Sequence, residues 1–325
     1  MILASLAGGG PDGTLVVVSS DRTRFLVPPQ GPRTMQRALD TWAESVTLLE
    51  GVFESLDDPT LGSPVDGAVF AAPLPRVYHW AEGSSYLSHM ERIRGGRGEA
   101  LPDRHRERPI VYQSGGAPNW PPRAEVPLPD ETWELDYEPT VFVVTGDAPQ
   151  GTTAAQAPEH IKLVGITNDV TYRRLLVEER RQGTGTYGSK PGRGFAPFLV
   201  TPATLGTAWQ SSFLRAALQC SVNGTLYGAP RADRDFSFGL PQIIGEFTRT
   251  RPLIAGSMIG TGTISNGDTE YGFGCIAEKR GVEIMQSGAA VTPFLSAGDT
   301  VTIEAIADDG TSLFGLIQHT VTRME

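Results

Sequence analysis

From about residue 73 onward the chain is a succession of short apolar runs, each closed by glycine, proline or a small polar residue. They read PIVYQ, YEPTVFVVTGD, EHIKLVGITNDV, FAPFLVTP, LQCSVNGTLYG, PLIAGSMIGTGTIS, GDTVTIEAIADDG and LFGLIQHTVTR. Runs this short and rich in β-branched residues are strands, and the 38 glycines and 25 prolines supply the turns between them. The runs do not alternate with helical segments, and no period repeats. The expected architecture is therefore mostly β (α+β), with sheets folded into a sandwich or roll.

One segment departs from this pattern. In TMQRALDTWAESVTLLEGVFESL (34–56), Met35, Leu39, Trp42, Val46, Leu49, Phe53 and Leu56 recur at three- and four-residue steps. This predicts a single amphipathic helix capped by Thr34, with Trp42 in its core-facing stripe. Two shorter segments, 173–181 and 240–250, are the only others with helical character, and EERR (178–181) reads as a solvated face. The loop 57–67 divides a small N-terminal unit, residues 1–72, from a main body, residues 73–325.

Charge and cysteine content narrow the function. Twenty-seven basic against 37 acidic residues give a net charge of −10, which argues against nucleic acid or an anionic membrane surface as a general partner. No apolar run approaches the roughly 20 residues that cross a bilayer. Cys220 and Cys275 imply no disulfide framework, and the expected compartment is the cytoplasm. Cys275 is expected to pack rather than react, because no helix start or basic neighbour is evident to lower its pKa. The lysines are Lys162, Lys190 and Lys279 alone, so a lysine at a plausible site carries more weight than an arginine would.

Four segments bear the chemistry. EGSSYLSHMERIRGGRG places Glu82 and His89 seven apart, and LDYEPTVFVV sets Glu138 and Thr140 two apart, hence on one face of a strand whose start Pro139 leaves unpaired. In ITNDVTYRRL, Asp169 closes an apolar strand ahead of Arg173, and GTGTISNGDTEYGFGCIAE carries Thr263 and Glu278. Oxygen ligands at strand ends suit a hard cation such as Mg²⁺ or Ca²⁺, and no zinc-like Cys/His spacing occurs. His79, His105, His160 and His319 read as surface or packing residues.

In this order the segments resemble the fumarylacetoacetate hydrolase family. GSMIGTGTISNG with YGFGCIAE is similar to its glycine-rich loop and the strand behind it, TNDVTYRR to its Asn-Asp segment, SKPGRGFAPFLVTPATL to its lysine and following strand, and LDYEPTVFVVTGD to its Glu-x-Glu strand. The resemblance implies a small N-terminal domain ahead of a mixed β-sandwich roll, assembled as a homodimer. It also implies a small keto-acid substrate chelated on Mg²⁺ or Ca²⁺, with Mn²⁺ as a further candidate. By the same resemblance Glu82, Glu138 and Asp169 are metal ligands, and His89 is the general base oriented by Glu278. Lys190 and Arg173 neutralise charge around the metal or on the departing enolate, Thr263 holds a substrate carboxylate or carbonyl, and Tyr112 lines the pocket.

Three departures from the family pattern stand out. Glu82 occupies an aspartate position, Thr140 the position of the second glutamate, and Leu175, Leu176 and Val177 fall where a catalytic glutamine is expected. A hydroxyl is a poorer ligand than a carboxylate, so Thr140 is at most a weak donor. The readings that follow are a metal-dependent hydrolase of a C–C bond in an acylpyruvate- or acylacetoacetate-like substrate, or a diverged biosynthetic decarboxylase, tautomerase or cyclase with weak or no metal dependence. A non-catalytic binding protein is the third.

Overall fold

The computed structural model describes residues 1–116, 118–183 and 185–324. In the strand Pro139–Thr145, Val141 and Val143 point into one apolar cluster while Phe142 and Val144 point into another. A strand apolar on both faces is buried on both faces, so it lies inside its sheet. It pairs antiparallel with Ile161–Asp169 on one side and Met258–Thr263 on the other, and Met258–Thr263 continues in parallel to Trp80–Gly83. On the far side Ile161–Asp169 leads through Leu199–Val200 to Ile2–Leu6 and Thr14–Val18. The N-terminal strands are therefore hydrogen-bonded to the main sheet.

A second mixed sheet orders Thr225–Gly228, Ala216–Val222, Thr300–Ala307, Ile317–Arg323 and Arg123–Leu128. Leu218, Ile303 and Ala305 from this sheet share one core with Val141, Val143 and Ile166 of the first. The opposite core packs Met35, Leu39 and Leu49 against Leu3, Phe142 and Leu163. Phe142 touches Trp80 and Phe195 edge-on or tilted, with centroids 5.8 and 5.3 Å away. Burying side chains of this size contributes about 1.5–3 kcal/mol each.

The topology explains how distant residues meet. Because Pro139–Thr145 runs antiparallel to both neighbours, its beginning lies beside their ends. Thr140 is in register with Thr167 and Thr263, and Gly260 with Glu82. Pro139 does not leave the strand start unpaired: it faces Asn168, and its carbonyl accepts from the Ile264 N–H at 2.9 Å.

The longer helices differ from expectation in three places, and single helical turns at Arg104–Glu107, Ala157–His160 and Pro202–Leu205 were not expected either. The predicted 34–56 helix is two, Met35–Asp40 and Trp42–Ser55, interrupted at Thr41, whose hydroxyl bonds to the Arg37 carbonyl; Thr34 does cap the first. Leu87–Gly95 is a helix, and so is Ile276–Ser287, where the sequence suggested a strand. These two helices pack on each other through glycine. A Cβ on Gly96 would sit 2.7 Å from the Gly281 Cα, and one on Gly281 would sit 2.3 Å from the Arg92 carbonyl oxygen. Glycines that look like turn signals are here the contact surface of a close helix crossing.

Gly281→Ala should therefore force the two helices apart and lower unfolding free energy by about 1–3 kcal/mol, read as a fall in the urea midpoint at unchanged m-value.

Candidate active site

The two close-packed helices carry an imidazole–carboxylate pair. His89, near the start of Leu87–Gly95, places Nδ1 2.7 Å from Oε1 of Glu278, in the first turn of Ile276–Ser287. Glu278 is fully buried, and burial by itself would raise its pKa. The contacts with His89 and Arg92 reverse that and hold it below the usual carboxylate range. An ionised carboxylate only accepts, so the Nδ1 proton points at Glu278, and in the neutral imidazole Nε2 keeps its lone pair. Nε2 lies 3.5 Å from Oε1 of Glu138. The other oxygen of Glu278 accepts from Arg92 at 3.0 Å and Ser265 at 3.2 Å.

Glu138 is the hub of the pocket. Its Oε1 pairs with Arg173 Nη1 at 2.7 Å, and its Oε2 accepts from Lys190 at 2.5 Å and Thr171 at 3.1 Å. Burial opposes its ionisation, but Arg173, Lys190 and His89 together push its pKa well below the ordinary value. The Lys190 ammonium also bonds to Asp169 and to Thr171 Oγ1, and despite burial these acids raise its pKa. Asp169 is 2.9 Å from Arg193 Nε, and the Arg193 guanidinium lies 4.6 Å over the Trp80 ring. Tyr112, half-buried, donates to Glu82 and, at 3.3 Å, to Asp169.

Arg173 is held from behind by Asp136, through Nε at 2.8 Å and Nη2 at 2.7 Å. Asp136 also accepts the Ile276 and Ala277 N–H groups, each at 2.9 Å, at the start of the Glu278 helix. One buried carboxylate thus fixes a cation of the pocket and the helix that carries the orienting acid. Cys275 does stand at a helix start, contrary to the sequence reading. Its thiol pKa is nevertheless raised, by burial first and then by Asp136, so the thiol stays protonated and packed.

Direct contacts link His89, Glu278, Glu138, Arg173, Lys190, Asp169, Tyr112 and Glu82, and Thr140 and Thr263 adjoin in strand register, although Glu82, Glu138 and Asp169 do not close into a compact triad. The Lys190 ammonium stands between the last two. Among the described residues, the group of His, Cys, Asp or Glu whose ligand atoms all lie within 4.8 Å is His89, Glu138 and Cys275. Thr140 and Thr263 are buried at adjoining register positions. Sequence reading missed Arg92, Asp136, Ser265, Asn168 and Arg193. Asn168 accepts the Glu138 N–H at 3.0 Å and lies 3.2 Å from Nδ1 of buried His319. The pattern -LDYE- and the first Ser of -TISN- carried the signal for Asp136 and Ser265, but only a known helix position makes it readable.

The donor set fits a hard divalent cation. Glu82 Oε1 and Thr140 Oγ1 are buried without a hydrogen-bond partner, and Asp169 Oδ1 faces Arg193 without hydrogen-bond alignment. Such orphaned oxygens cost about 1–3 kcal/mol each unless something positive meets them. Burial and the charge on Asp169 raise the Glu82 pKa to about 8, with Lys190 only partly offsetting them. With a pKa of about 8, Glu82 keeps its proton at neutral pH until a cation displaces it.

Buried acids and a lysine at the ends of paired strands, joined to a carboxylate–imidazole pair, form a candidate active site on a β-roll. The sequence matches the family description "Fumarylacetoacetate (FAA) hydrolase C-terminal" over residues 78–322 and "Fumarylacetoacetase N-terminal domain 2" over residues 1–76. The chain belongs to the fumarylacetoacetate hydrolase family. Similar solved structures include a fumarylacetoacetate hydrolase from Exiguobacterium antarcticum (18% identical, TM-score 0.69) and a maleylpyruvate hydrolase from Sphingobium sp. SYK-6 in complex with manganese(II) ion and pyruvate (17%, 0.67). A third is a 5-carboxymethyl-2-hydroxymuconate delta-isomerase from Mycobacterium smegmatis (18%, 0.62), and each comparison covers 100% of both chains. An uncharacterized protein of Pyrococcus horikoshii is 27% identical over 158 residues, 48% of this chain and 66% of its own length. No helix among the described residues is long and apolar enough to cross a membrane.

The Glu82 carboxyl gives a signed pH dependence. Its folded pKa of about 8 lies above the ordinary value near 4, so the native state binds the extra proton between those limits. In metal-stripped protein, stability should fall as pH rises from about 5 to 8, by up to about 1.4 kcal/mol per unit. Glu82→Gln should flatten that slope in denaturant titrations at stepped pH.

Proposed function

We propose that the protein hydrolyses a C–C bond in a β-dicarbonyl keto acid of the acylpyruvate or acylacetoacetate kind. The observation that carries this reading is the His89–Glu278 contact at 2.7 Å, with Nε2 turned towards Glu138, which Arg173 and Lys190 hold. A divalent cation held by Glu82, Glu138 and Asp169, with Thr140 as a weak neutral donor, would supply Lewis-acid polarisation of the substrate oxygens. Mg²⁺, Ca²⁺ and Mn²⁺ are the candidates.

The chain's own groups do the rest. His89 Nε2 takes a proton from a water molecule, and Glu278 stabilises the imidazolium that results. The water oxygen attacks the ketone carbon. As the C–C bond breaks, its electron pair becomes an enolate, whose charge faces Lys190 and Arg173. The imidazolium returns its proton to the enolate carbon, which balances the reaction and restores the base. Thr263 and Tyr112 position the substrate's remaining oxygens. In this reading the enzyme is a cytoplasmic homodimer, with an N-terminal domain of residues 1–72 and a catalytic domain of residues 73–325.

A second reading has a specific motive. With Thr140 neutral and the Lys190 ammonium between Glu138 and Asp169, the same pocket could stabilise an enolate with little metal, serving decarboxylation, tautomerisation or cyclisation. Thr140→Glu separates the two readings: gained metal affinity together with gained hydrolysis marks a site diverted from hydrolysis, and unchanged affinity counts against diversion.

For the leading reading, His89→Ala should cut EDTA-sensitive turnover of acylpyruvates by about 10²–10⁴-fold while leaving calorimetric Mg²⁺ or Mn²⁺ affinity unchanged. Equal turnover in the variant, or no divalent-ion binding by the parent, overturns it.

A further inference from the structure

We propose that His89, Glu138 and Cys275 form a second metal site, selective for a thiophilic cation of the Zn²⁺ class, whose occupant silences the catalytic base. That such a cation stops turnover rests on the function proposed above; that it binds does not.

The ligand atoms of the three side chains all lie within 4.8 Å of one another. His89 Nε2 is 3.5 Å from Glu138 Oε1, whereas Cys275 Sγ is 4.0 Å from the other ring nitrogen, Nδ1, so the thiol side chain must turn towards Nε2 to join the cage. Ligands bound tetrahedrally at about 2.0–2.3 Å are themselves about 3.3–3.8 Å apart, so small side-chain shifts close the cage. Nitrogen, sulfur and one carboxylate oxygen form a donor set for zinc, whereas Mg²⁺ and Ca²⁺ prefer oxygen alone. The oxygen-rich end of the pocket, at Glu82 and Asp169, and this sulfur-bearing end therefore favour different ions.

The carboxylate behind the imidazole supports the same reading. Glu278 fixes the proton on Nδ1 and leaves Nε2 with its lone pair, the carboxylate–histidine arrangement that strengthens a metal-bound imidazole. What prepares Nε2 as a base also prepares it as a ligand. The His89 side chain is 16% exposed, which gives solution ions a way in. On binding, the S–H bond of Cys275 breaks, its electron pair goes to the metal and its proton leaves to water. The thiolate charge then offsets one of the cation's two charges. Arg173, 2.7 Å from Glu138 Oε1, and Lys190, 2.5 Å from its Oε2, oppose binding, and Asp136 behind Arg173 and Asp169 beside Lys190 moderate that opposition.

The test uses the full chain with Mg²⁺ in excess. Zn²⁺ is titrated by calorimetry and Co²⁺ by absorption, in the parent and in Cys275→Ser; serine is a favourable residue at a helix N-cap, so the variant should fold. The expected result is a thiolate-to-cobalt charge-transfer band in the parent that is lost in the variant. Zn²⁺ affinity should weaken by about a hundredfold, at the upper end of what loss of even a supporting group costs a metal site. A Co²⁺ spectrum without the band, or equal Zn²⁺ affinity in both proteins, overturns the proposal. A band in a protein that hydrolyses no acylpyruvate would support the metal site and refute the hydrolase reading.

Discussion

The site depends on a buried carboxylate, Glu138, that stays ionised because two cations, Arg173 and Lys190, hold it. Taking a carboxylate out of water is expensive, and the cost is met only if every lone pair finds a partner. Arg173 meets one oxygen, Lys190 and Thr171 meet the other, and His89 Nε2 approaches from the side. Each partner is tied down in turn. Asp136 fixes Arg173, Asp169 fixes Lys190, and Glu278 fixes His89. The result is a polar network inside an apolar double core, in which moving one member strands the charge on the next.

The β-sheet makes this possible without any local sequence proximity. The beginning of one central strand and the ends of its antiparallel neighbours share one edge of the sheet, so residues 82, 140, 169 and 263 meet although nearly two hundred positions separate the first from the last. The helix pair that supplies His89 and Glu278 is brought in by the Gly96–Gly281 crossing, and Asp136 pins its second member to the same edge. The loop ahead of Lys190 is likewise held, by Glu179 accepting the Gly188 and Ser189 N–H groups at 2.6 and 3.1 Å. That glutamate lies in EERR, so the run is only partly a solvated face.

Much of this was legible in the sequence. Alternation and turn chemistry predict the sheets, because strand burial writes itself into neighbouring residues; the order of four polar segments, through a family resemblance, points to the pocket. The helices Leu87–Gly95 and Ile276–Ser287 were not legible, since glycines needed for a close crossing look like turn residues. Arg92 and Asp136 were missed for a related reason. Each acts on groups more than a hundred positions away in the chain, and nothing in its own sequence neighbourhood marks it apart from a surface charge. The break at Thr41 was invisible because the apolar period continues through it.

The account turns on His89 presenting an unprotonated Nε2 while Glu278 holds the proton on Nδ1. Nitrogen-15 NMR of histidine-labelled protein, recorded on the neutral imidazole, reads this directly. The account predicts the Nδ1–H tautomer for His89 in the parent, with that signal perturbed in Glu278→Gln. A dominant Nε2–H tautomer in the parent would contradict it.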